Sequence, residues 1–166
     1  MNVLLVSKPG ISLIRSLRES ETAWDAIRFY GPVGISIGVY IPVSTLAGAI
    51  SLASDLKYFL RKYTTDHLFL YHPGVYFTAA LARSRYLTRD NGVTPDWPYR
   101  LIYWIENQGT VRRWKKDDWN CDDLFAMPRS ADQDSDSKPR DPDIEETTIG
   151  GYLFEVWCTR PEYEIM

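Results

Sequence analysis

Residues 99–125 gather the side chains best suited to hold a ligand, because three tryptophans lie there among clusters of cationic and aspartate side chains. If residues 110–114 form a β-strand, Arg112 and Trp114 share one face and Arg113 takes the other, since successive side chains alternate. A guanidinium beside an indole can stack on a nucleobase and hold a phosphate by charge. The sequence therefore predicts a binding site for a small anionic ligand on this strand.

The same side chains also suit a protein partner, because Trp, Tyr and Arg dominate the energetically important positions of protein interfaces. The chain would then be an inhibitor or immunity-type protein that blocks a macromolecular partner, such as a bacterial defence complex. A third interpretation places Trp114 in the core and Arg112 on the surface. The sequence leaves these alternatives open. The candidate ligand- or partner-binding residues are Tyr71, Arg100, Trp104, Arg112, Trp114, Trp119 and Asp123.

Residues able to perform catalysis or hold a metal do not assemble into a recognisable motif. His67 and His72 are five apart in a predicted strand, so alternation sends them to opposite faces. Four aspartates follow Trp114, but their spacing does not fit a calcium loop, and two lysines beside them would neutralise the charge; they are Asp117, Asp118, Asp122 and Asp123. We therefore predict neither catalysis nor a metal or cofactor, and an enzyme of unrecognised type is the third functional alternative.

The composition favours one globular domain of 166 residues, with 45% hydrophobic and 14% aromatic residues. A net charge of −3 gives no general attraction to nucleic acid. Cys121 and Cys158 form no metal-binding motif, and we expect reduced thiols in a cytoplasmic protein, with a disulfide between them as the alternative. Residues 29–54 carry no charge, yet prolines, glycines and strict alternation over 33–41 favour a half-buried strand over a membrane span.

The hydrophobic pattern predicts an α+β fold in which a mixed, mostly antiparallel sheet packs against two or three helices. We expect an α+β domain over 1–128, a flexible acidic loop over 129–148, and a C-terminal strand that returns to the sheet within 149–166. Predicted strands cover 2–6, 33–41, 67–72, 100–106, 110–114 and 151–158. Predicted helices begin at Glu21 after Ser20, follow an N-cap at Ser44 as far as Leu60, and cover 78–86.

The order of residues between 49 and 126 resembles that of the phage Thoeris anti-defence proteins. The similarity rests on Ala49-Ile50, Arg61-Lys62, Phe69-Leu70-Tyr71 with Pro73-Gly74, Gly109-Thr110-Val111 with Trp114, Asp123-Leu124 and Ala126. The chain departs from the family pattern at 63–66, which reads Tyr-Thr-Thr-Asp, and at Met127-Pro128. The resemblance implies an oligomeric protein that sequesters cyclic ADP-ribose-type signalling nucleotides without turnover. It implies nothing about residues 1–44 or 129–166.

Overall fold

A computed structural model describes residues 1–89, 96–106, 109–120, 145–147 and 151–166, with only the backbone described at 145–147. The helices are α1 (Leu13–Glu19), α2 (Glu21–Ile27), α3 (Leu46–Asp55), α4 (Lys57–Tyr63), α5 (Ala79–Thr88) and α6 (Arg160–Glu164), and a 3-10 turn covers Arg28–Tyr30. The strands are β1 (Asn2–Ser7), β2 (Val33–Ile35), β3 (Gly38–Pro42), β4 (Thr64–His72), β5 (Val75–Phe77), β6 (Arg100–Glu106), β7 (Val111–Lys115), β8 (Glu145–Thr147) and β9 (Gly151–Trp157).

The strands form one open mixed sheet in the order β2-β3-β1-β4-β5-β9-β6-β7. The pairing of β5 with β9 is parallel and the other described pairings are antiparallel. β8 pairs with the first half of β9, and β5 pairs with the second half. The α+β class and the return of the C-terminal strand to the sheet are therefore confirmed.

Each face of the sheet carries a buried core. On β1, Val3 and Leu5 belong to a core that packs against helices α1 to α5, whereas Leu4 and Val6 belong to a second core on the other face. The second core is enclosed because the sheet curls on itself. Tyr103 on β6 donates a hydrogen bond to Asp66 on β4, three strands away in the sheet order, at 3.1 Å. A flat sheet would separate these two side chains by more than 10 Å, since neighbouring strands lie about 4.8 Å apart.

The predicted strand over 33–41 is wrong as a single element, because the chain turns back at Ser36 and Ile37 to form the β2–β3 hairpin. Ile35 and Ile37 consequently join the second core, while Val39 joins the helix-covered core. Glycine permits this course. A Cβ atom at Gly38 would lie 1.8 Å from the carbonyl oxygen of Leu5, so only glycine allows β3 to approach β1 here.

The predicted helix ending at Leu60 is also two elements. Its N-cap is Thr45 rather than Ser44, because the Thr45 hydroxyl accepts the Gly48 N–H at 3.1 Å. The backbone leaves the helical conformation at Leu56, and α4 begins at Lys57. The break lets both helices bury apolar side chains against the curved sheet, with Ala53 on α3 and Leu60 on α4 in the same core.

The hairpin formed by β6 and β7 agrees with its prediction. Gly109 precedes β7 with φ +85°, and its Cα approaches the Ser7 carbonyl so closely that a Cβ would lie 2.7 Å away. Within the segment predicted as an acidic loop, residues 145–147 form the short strand β8. The rest of that segment lies outside the described residues. Among the helices that the structure describes, none is long and apolar enough to cross a membrane.

Candidate functional site

Four of the candidate residues, Arg100, Trp104, Arg112 and Trp114, lie on one face of β6, β7 and β9, which we call the hairpin face. Side chains directly opposite one another on neighbouring strands share a face, so the strand register defines three rows. The first row contains Trp104, Arg112 and Leu153, the second contains Ile102, Trp114 and Glu155, and the third contains Arg100 and Trp157. The prediction that Arg112 and Trp114 lie together is therefore consistent with the register.

Trp104 lies in the first row of this face and is 2% exposed. Its ring lies against Gly151 on β9, where a Cβ atom would come within 2.5 Å of the indole. The absence of a side chain at Gly151 thus makes the space that the indole fills. Within the part of the chain that the structure describes, the Trp104 N–H is buried and has no hydrogen-bond acceptor. A buried donor without an acceptor costs about 1–3 kcal/mol.

Trp119 shares this property. It follows β7 in a turn whose backbone is fixed by the Trp119 N–H donating to the Lys116 carbonyl at 3.4 Å. Among the described residues, its indole N–H also lacks an acceptor. Trp114 is half-buried beside Ile102. The face therefore carries two enclosed indoles, Trp104 and Trp157, and one half-buried indole, Trp114, and Trp119 adds a fourth indole in the adjoining turn.

The cations of the hairpin face are paired with two carboxylates. Arg112 lies 3.3 Å from Glu106, and both side chains remain substantially exposed. Glu155 is shared by Arg100 at 3.5 Å and Lys116 at 2.5 Å, and it also accepts the Trp157 indole N–H at 2.6 Å. Three cations thus share two carboxylates.

Tyr71 is linked to the hairpin face through intermediate rings. It stacks on Phe77 at 4.8 Å between centroids, and Phe77 stacks on Trp157 at 6.0 Å. The Arg100 guanidinium lies over the Trp157 ring at 5.2 Å. Tyr71 therefore packs in the helix-covered core, where it supports the ring that Arg100 contacts. It does not lie on the hairpin face. Asp123, the last candidate, lies outside the described residues.

The opposite face of the hairpin holds a polar cluster that the sequence did not reveal. Arg113 donates to Asp66 at 2.9 Å, and its guanidinium lies over the Tyr103 ring at 5.0 Å. Burial, followed by the Asp66 charge, raises the pKa of the Tyr103 hydroxyl, which remains protonated and donates to Asp66. The one signal in the sequence was strand alternation, which places Arg113 on the face opposite Trp114. This cluster holds the curled sheet together.

The histidines have separate environments. His67 packs edge-on against Phe69 in the helix-covered core, and burial lowers its pKa below the usual 6.5 despite the opposing effect of Asp66. His72 is exposed and contacts Tyr71 at the end of β4. Cys158 is a free, buried thiol, and burial raises its pKa to about 12. Cys121 lies outside the described residues.

In the described ranges, no three His, Cys, Asp or Glu side chains come close enough together to bind a metal ion. Of the acidic residues after Trp114, Asp117 accepts the Tyr163 hydroxyl at 3.0 Å, and Asp122 lies outside the described part of the chain. The described carboxylates near the hairpin therefore serve as partners of hydroxyl groups and cations.

Comparisons of the chain with protein-family models, with curated proteins and with solved structures gave no match.

Proposed function

We propose that this chain is a non-catalytic binding protein whose hairpin face sequesters a small anionic ligand of nucleotide type. The observation that carries the proposal is the pair of buried indole N–H groups on Trp104 and Trp119 that lack acceptors among the described residues. Buried polar groups in folded proteins are nearly always paired, and exceptions require an explanation. An oxygen-rich ligand would supply the acceptors.

The charges support an anion in preference to a neutral ligand. Three cations, Arg100, Arg112 and Lys116, lie on or beside the face. The pair of Arg112 and Glu106 is exposed to solvent and contributes little to stability in that state. A phosphate can therefore take over the Arg112 guanidinium, which suits two phosphate oxygens at once.

The resemblance to Thoeris anti-defence proteins suggests the biological context. In that context the chain acts as a phage or mobile-element counter-defence protein that removes a nucleotide signal by binding it. Sequestration needs affinity and no catalytic group, which agrees with a site built from indole rings, guanidinium groups and hydrogen-bond donors.

A thermal-shift panel of cyclic and linear nucleotides tests this proposal, because a ligand that binds only the native state raises the unfolding midpoint. We expect at least one nucleotide to raise the midpoint, and Arg112→Ala to weaken its binding about tenfold to a hundredfold, as loss of a charge-assisted hydrogen bond predicts. Arg28→Ala is the matched control, since Arg28 lies 3.4 Å from Asp25 at a distance from the hairpin in sequence. Equal weakening by both variants, or no shift with any nucleotide, would contradict the proposal.

A protein partner is the second candidate, and the position of β7 favours it. β7 is the last strand in the sheet order, so its outer backbone groups are not used by another described strand. An edge strand of this kind can pair with a strand of another protein. A flat nucleotide panel together with a stable macromolecular complex that Trp114→Ala disrupts would favour this function over the first.

A further inference from the structure

A cavity of about 610 Å³ opens between the loop that connects β1 to α1 and the β2–β3 hairpin. Its size falls within the range of pockets that hold small molecules in proteins. None of its described lining residues belongs to the hairpin face. It is therefore a separate candidate site, formed by a part of the chain that the family resemblance does not cover.

No charged side chain is found among the described residues that line this cavity. The cation nearest in sequence, Lys8, is directed elsewhere, because its ammonium group donates to the carbonyls of Arg61 and Lys62 at 2.9 Å each. A charged group desolvated there would lose hydration without gaining a counter-charge from these residues, which is unfavourable. The described lining therefore favours an uncharged ligand.

The lining combines aliphatic walls with a few hydrogen-bonding groups. Ile11, Ile14 and Ile35 supply apolar surface, and Gly10 leaves the backbone accessible on the side of the loop. A Cβ at Gly10 would meet no atom within 4 Å, so the space beside it is open. Aliphatic walls suit the flat faces of an aromatic ring, whereas a ligand that presents hydroxyl groups on every side would leave many of them unpaired there.

Three serine residues line the cavity, and their hydroxyl groups differ in the hydrogen bonds that they make. Ser7 donates to the Ile37 carbonyl at 3.2 Å, and the Ser36 hydroxyl is hydrogen-bonded to the Tyr152 hydroxyl. Ser12 precedes α1, is exposed, and makes no side-chain capping bond to that helix. Its hydroxyl can therefore turn toward a ligand without breaking a bond of the fold.

We propose that this cavity binds an uncharged heteroaromatic molecule of nucleoside size. The aliphatic side chains pack against the faces of the ring, and the serine hydroxyls and glycine backbone contact its hydrogen-bonding edge. This site acts independently of the hairpin face, so the failure of either proposal leaves the other standing.

A titration followed by backbone amide NMR tests the site with adenosine as the uncharged probe and AMP as its charged counterpart. We expect adenosine to shift the amide resonances of Gly10, Ser12 and Gly34, and AMP to bind at these amides at least tenfold more weakly. Glucose, which is uncharged but not flat, should leave them unchanged. Equal or tighter binding of AMP at these amides, or no response to adenosine, would overturn the proposal.

Ser12→Trp fills the cavity and should weaken adenosine binding at least tenfold. Ser51→Trp is the matched control, because Ser51 is exposed on α3 and does not line the cavity; it should change the affinity less than twofold. Spectral dispersion reports whether each variant is folded, and Ser12→Leu provides a smaller obstruction if the tryptophan is not tolerated. Undiminished adenosine binding in a folded Ser12 variant would also overturn the proposal.

Discussion

Trp104 can be recognised from the sequence as a candidate residue, but the hydrogen bonding of its indole N–H cannot. Its residue type and its position in an alternating strand predict a place on the sheet. Whether its indole N–H finds an acceptor depends on β7 and β9, which approach it from other parts of the chain. The sequence consequently identified Trp104 as a candidate, and the structure added that its N–H is buried without an acceptor among the described residues.

At the same scale, His67 should make the stability depend on pH. Its folded-state pKa is lowered from 6.5 by burial, with a further contribution from Arg83 and opposition from Asp66. The unfolded state therefore binds more protons near pH 6, and stability contributed above the unfolded pKa is lost as the pH falls through the folded pKa. We expect the urea midpoint of unfolding to fall between pH 7.5 and 5.5, and to fall less in His67→Gln.

His72→Gln is the control for this measurement, because His72 is exposed at the end of β4. This substitution should leave the pH dependence unchanged. If His67→Gln and the parent protein lost stability in parallel as the pH fell, a buried neutral imidazole at position 67 would be refuted.

At the scale of elements, the sequence predicted those that carry their own local signals. The β6–β7 hairpin combines alternating side chains with Gly109 at a left-handed position, and both features lie within a few residues. The β2–β3 hairpin lacks such a signal, because 33–41 alternates without interruption and its turn is imposed by contact with β1. The break at Leu56 likewise follows from the curvature of the sheet and has no Gly or Pro to mark it.

The fit between β6 and β9 makes Gly151 a sensitive position. Gly151→Ala would place a Cβ 2.5 Å from the Trp104 ring and 2.9 Å from the Ile105 carbonyl, so strand or ring must move. We expect the substitution to reduce the free energy of unfolding by about 1–3 kcal/mol, as overpacking of a core usually does. Denaturant titration measures this change.

Gly34→Ala is the matched control, since its Cβ would meet Ile14 at an ordinary contact distance of 3.4 Å. This variant should change stability by less than Gly151→Ala. A Gly151→Ala protein as stable as the parent would contradict the described packing of Trp104.

At the scale of the whole molecule, the curl of the sheet brings together groups that no sequence pattern connects. Asp66 bonds Tyr103 and Arg113, which lie 37 and 47 positions further along the chain. The sequence suggested no catalytic role for Tyr103 or Arg113. Strand alternation alone placed Arg113 on the face opposite Trp114. Such long-range contacts depend on strand order and curvature, which the hydrophobic pattern of single elements does not determine.

Charge is also distributed at this scale. The chain has a net charge of −3, yet the hairpin face and its adjoining turn bring three cations to two carboxylates. Composition therefore excluded a general attraction for nucleic acid without excluding a local site for an anion. The strand register, which the sequence could predict only within the hairpin, brings Glu155 from β9 into that site.

The indole N–H resonances of a tryptophan-labelled sample report directly on whether a nucleotide supplies acceptors at the hairpin face. The chain contains six tryptophans, and Trp97 provides an internal reference, because its indole N–H already donates to the Cys158 carbonyl. On addition of the nucleotide that gives the largest thermal shift, we expect downfield shifts of the Trp104 and Trp119 resonances and a small change at Trp97. Saturating nucleotide that leaves the Trp104 and Trp119 resonances in place would refute the proposed site.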